Sequence, residues 1–66
     1  MMVTAVRFSP ADVVPAQFDA IKHGLDYDTA NDVIIFYGNA GKASAVAANH
    51  AGVVVAIQPK IRRSGR

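Results

Sequence analysis

The chain has 66 residues, 52% of them hydrophobic, with a mean hydropathy of +0.21, seven Lys and Arg against five Asp, two His and no Cys. A chain this short hides only about 60% of the surface that its unfolded form exposes, so its core is marginal and needs a staple. The absence of cysteine excludes a disulfide, two histidines exclude a structural zinc site of the usual kind, and association with another chain is the remedy left. The expected partners are therefore a second copy or another protein.

The charge is unevenly placed. All five acidic residues, Asp12, Asp19, Asp26, Asp28 and Asp32, lie in the first half, while Lys60, Arg62, Arg63 and Arg66 crowd the end. Residues 1–58 carry only Arg7, Lys22 and Lys42 as bases, so the body is mildly acidic and the tail strongly basic. No apolar run approaches the roughly 18 residues that span a bilayer, and "MMVTAVRFSPAD" lacks a basic start followed by a long apolar stretch. No membrane partner is expected, and a cytoplasmic location is. The Ala- and Val-rich usage, with no Glu and more Arg than Lys, is the bias of GC-rich bacterial and phage genomes; a phage-encoded chain would work in the host cytoplasm or the virion.

"MVTAVRF" (2–8) alternates and reads as a strand. In "SPADVVPAQFDAIKHG", Ser9, Pro10 and Asp12 make a helix start: a hydroxyl cap, a proline at the first helical position, and a carboxylate near the positive end of the dipole. Pro15 has no N–H for the Ala11 carbonyl, so the reading is one short turn followed by a helix over about 15–24. Val14, Phe18, Ile21 and Leu25 are spaced as a single apolar stripe, and Gly24 ends the helix by taking the left-handed conformation. "DYDTAND" (26–32) reads as a polar loop. Its three Asp invite calcium, but a calcium loop needs a glycine at its sixth position and a glutamate at its end, and this segment has neither.

"VIIFY" (33–37) and "VVVAI" (53–57) are unbroken β-branched runs, of the kind covered on both faces in parallel sheets. The fifteen residues between them have room for a crossover helix, with His50 and Gly52 as end signals and Pro59 stopping the last strand. The expected fold is thus a small single-domain βαβαβ of the α/β class with a three-stranded, mostly parallel sheet over residues 1–59. The alternative is a mixed sheet with strand 1 antiparallel to strand 3. A basic C-terminal tail, 60–66, follows.

"YGNAGKAS" (37–44) resembles a phosphate loop in outline only. Setting Gly41-Lys42 on the required GK pair puts Phe36 where the first glycine belongs and Ala43 where the magnesium-binding hydroxyl belongs. Gly38, Asn39, Gly41 and Lys42 remain a candidate anion site, because a glycine turn into a helix N-terminus beside a lysine is able to hold an anion. His23 and His50 have no nucleophile pattern around them, Ser9 and Ser44 suit cap and helix surface, and Tyr27 and Tyr37 suit half-buried packing. Neither catalysis nor a cofactor is expected. The strongest candidate is the tail, with Lys60, Arg62, Arg63 and Arg66 as a clamp on an acidic protein surface or, in the alternative, on nucleic-acid phosphates. The expected function is a non-enzymatic interaction or assembly protein, an assembly component or host-factor binder if phage-encoded. It self-associates or docks through a sheet edge and apolar surface; an anion or nucleotide binder is the last alternative.

Overall fold

The computed structural model describes residues 2–59, so the tail and its four basic residues lie outside the described residues. The elements are β1 (Met2–Arg7), α1 (Pro10–Lys22), β2 (Asp26–Ala30), β3 (Val33–Tyr37), α2 (Ala40–Asn49) and β4 (Val53–Pro59). They build one four-stranded sheet in the order β2-β3-β1-β4, with every neighbouring pair antiparallel.

This corrects the expected three-stranded, mostly parallel sheet; of the mixed alternative, the antiparallel pairing of the first strand with 53–57 is found, but in a four-stranded sheet with no parallel pair. The segment 26–32 is not a loop but a fourth strand and a two-residue turn, Asn31-Asp32, with Asn31 in the left-handed region at φ 58°. Asparagine tolerates that conformation better than most residues. Strands β3 and β4 do run the same way, as the α2 crossover requires, yet β1 lies between them and pairs antiparallel with both. The connectivity is the split β-α-β, or ferredoxin-like, arrangement. That arrangement hosts many unrelated functions, so it assigns none by itself.

Both helices lie against the sheet, α1 over β2 and β3 and α2 chiefly over β1 and β4. Between them the core consists of Val6, Phe8, Ile34 and Phe36 from the sheet side, Ala16 and Ala20 from α1, Ala43, Val46 and Ala47 from α2, and Leu25. Phe8 and Phe36 meet edge to face, with ring centroids 6.4 Å apart and planes at 84°, a geometry that sets the positive edge of one ring against the negative face of the other. The helices contribute mainly alanines, which lets their backbones approach the sheet closely.

Helix α1 is continuous through Pro15, contrary to the expected break. The proline removes one backbone hydrogen bond, but Ala11 and Pro15 are both exposed, so water can satisfy the carbonyl that loses its partner. The Ser9 hydroxyl does not cap the helix backbone; it donates to Asp12 Oδ2 at 2.7 Å. At the other end Gly24, with φ 71°, reverses the chain: its N–H donates to the Ile21 carbonyl and that of Leu25 to Ala20. This double closure satisfies the last carbonyls and turns Leu25 into the core.

Helix α2 ends by the same device, but the left-handed residue is Ala51, at φ 55°, and the N–H of Gly52 donates to the Ala47 carbonyl at 2.7 Å. Gly52 is required for space instead. A Cβ there would lie 2.5 Å from Phe8 Cε1 and 2.6 Å from Val6 Cγ1, inside the core. No helix among the described residues is long and apolar enough to cross a membrane. The two positions make opposite predictions in urea unfolding. Gly52→Ala lowers stability by about 2 kcal/mol through overpacking, whereas Ala51→Gly relieves a left-handed alanine and raises it by up to about 1 kcal/mol.

Candidate interaction surface

Because side chains alternate along a strand, the pairing register divides the sheet into two faces. Thr4, Val6, Ile34 and Phe36 point to the helices and are buried. Among the described residues no helix covers the opposite face. It consists of Val3, Ala5 and Arg7 from β1, opposite Tyr37, Ile35 and Val33 from β3. Asp26, Asp28 and Ala30 flank it on β2, and Gln58, Ala56 and Val53 on β4. Val3, Ala5, Val33, Ile35 and Tyr37 are all only half-buried, and Val53 is 63% exposed. Five apolar side chains, Val3, Ala5, Val33, Ile35 and Tyr37, are thus contiguous on one open face, and Val53 stands beyond Arg7 at its corner.

The two edges of the sheet differ in chemistry. Edge strand β2 presents Asp26 and Asp28, charges of the kind that discourage a second strand from pairing there. Edge strand β4 carries no charge at all, and Val53, Val54, Val55 and Ile57 are each between 38% and 63% exposed. A register shift opposite Ala5 and Val6 leaves Val55 unpaired as a bulge, which turns Val54 and Ile57 to the helix side and Val53 and Ala56 to the open face. At the acidic edge the Tyr37 hydroxyl donates to Asp28 Oδ2 at 2.8 Å. That bond, with partial burial and the carboxylate charge, holds the phenol protonated above its ordinary value of 10.

A second apolar surface lies on the far side of the molecule. The stripe Val14, Phe18 and Ile21 does not face the core as its spacing suggests; these residues are 54%, 63% and 58% exposed. Helix α1 docks instead through Ala16 and Ala20, with Val13 partly buried beside them. Of the expected stripe only Leu25, beyond the helix end, is buried. The signal for the true face is the small-residue spacing 13, 16, 20.

The candidate anion loop makes contacts within the fold. Asn39 Oδ1 accepts from the Lys42 N–H at 3.1 Å and so caps α2, while Lys42 Nζ donates to the His23 carbonyl at 3.4 Å, at the negative end of α1. Gly38 takes φ 121° in the turn out of β3, and Gly41 stands in the first turn of α2. The two histidines come together around Asp19 between the helices. His50 Nε2 lies 3.1 Å from Asp19 Oδ2, His23 Nε2 lies 3.3 Å from Oδ1, and Asn49 Nδ2 donates to Oδ2 at 3.3 Å. This cluster was invisible in the sequence because Asp19 and His50 are 31 positions apart. Tyr27 packs against the core from β2 as expected.

No known family model, curated protein or solved structure matches the chain. The assignment of function therefore starts from the surfaces themselves.

Burial opposes ionisation of Asp19, but the hydrogen bonds from Asn49 and His50 and the charges of His23 and His50 outweigh it and hold the carboxyl below its usual range. A carboxyl depressed on folding stabilises the protein above its unfolded value, near about 3.9, and that contribution is lost as pH falls through the lower folded value. Asp19→Asn is expected to lower stability at neutral pH by about 1 kcal/mol and to flatten the acid limb of a stability-against-pH curve, measured by urea unfolding. An unchanged acid limb would mean that Asp19 does not tie the helices together.

Proposed function

We propose that the protein is a non-enzymatic interaction or assembly module that engages protein partners through its open sheet face and the adjoining β4 edge. The observation that carries this reading is the contiguous set of Val3, Ala5, Val33, Ile35 and Tyr37 on a sheet face that neither described helix covers. Contiguous exposed apolar surface on a small protein marks an interaction site more often than it is tolerated idle. The Val14, Phe18, Ile21 ridge on the opposite side supports the assembly reading, since two separate apolar surfaces let one chain hold two neighbours at once.

The chemistry of the open face favours protein over nucleic acid. Open antiparallel sheets that read single-stranded RNA stack bases on several aromatic rings and surround them with positive charge. This face offers Tyr37 alone among the aromatics, and Asp26 and Asp28 against Arg7. Two carboxylates at its edge repel phosphate. The tail residues Lys60, Arg62, Arg63 and Arg66 add a cationic segment directly after β4, suited to an acidic protein surface.

The test is site-specific photo-crosslinking in the cells that produce the protein, with benzoylphenylalanine in place of Ile35 and, as control, of the exposed Ser44 on α2. Position 35 is expected to give protein adducts and position 44 none. Adducts to nucleic acid alone, or the same adducts at both positions, would replace this reading with tail-driven nucleic-acid binding or with no interaction at the sheet.

A further inference from the structure

We draw no further inference here: the strongest candidate, the uncharged free edge of β4 with its exposed Val53, Val54, Val55 and Ile57, adjoins the surface already described, and nothing in the structure shows what covers it.

Discussion

The pairing of β1 on both of its sides is the constraint from which the rest of the structure follows. Strand β1 hydrogen-bonds β3 on one side and β4 on the other, both antiparallel, so its strict alternation is imposed across the sheet. Thr4 and Val6 go in, and Val3, Ala5 and Arg7 go out. The helices can cover only one of these faces, because both crossovers, β1 to β2 and β3 to β4, lay their helix against the face that holds Phe8 and Phe36. A β-branched strand such as β3 puts apolar side chains on both faces regardless. Ile34 and Phe36 fill the core, and Val33 and Ile35 are left beside the solvent.

The small size of the chain sharpens this consequence. Burial of apolar surface contributes about 25 cal/mol per Å², and a domain that uses mostly alanine on its helices gains little from each helical residue. Alanine brings the helices close, and Gly52 shows how close: its missing Cβ is the space occupied by Phe8 and Val6. The larger residues of α1, Val14, Phe18 and Ile21, contribute nothing to this core. A chain without cysteine has no disulfide to make good a marginal core, and it leaves two apolar surfaces uncovered among its described residues.

Much of this was legible in the sequence where one physical rule acted alone. Alternation marks β1, β-branched runs mark β3 and β4, and Gly24 marks the end of α1. Strand β2 was not legible because Asp26 and Asp28 are poor strand formers that suit it only as outward residues of an edge; Tyr27 and Thr29, the inward pair, are too few to outvote them. The parallel reading of "VIIFY" and "VVVAI" was overturned for a related reason. An unbroken apolar run means either a strand covered twice or a strand with one face left uncovered, and sequence alone does not separate the two. Pro15 does not break α1 because its cost depends on whether water reaches the Ala11 carbonyl, and the large apolar stripe of α1 stays outside the core because small residues dock the helix. The excess of apolar residues was legible in the composition, but not which surfaces the fold would leave uncovered.

The most direct measurement is the solvent accessibility of individual methyl groups by NMR, read from the broadening caused by a soluble paramagnetic agent, with the labelled protein in buffer and in an extract of the cells that produce it. The account predicts that the methyls of Val33 and Ile35 are accessible in dilute buffer and protected in the extract, while those of the core residues Ile34 and Val46 are protected in both. Val33 and Ile35 as accessible in the extract as in buffer would contradict the claim that the open sheet face is an interaction surface.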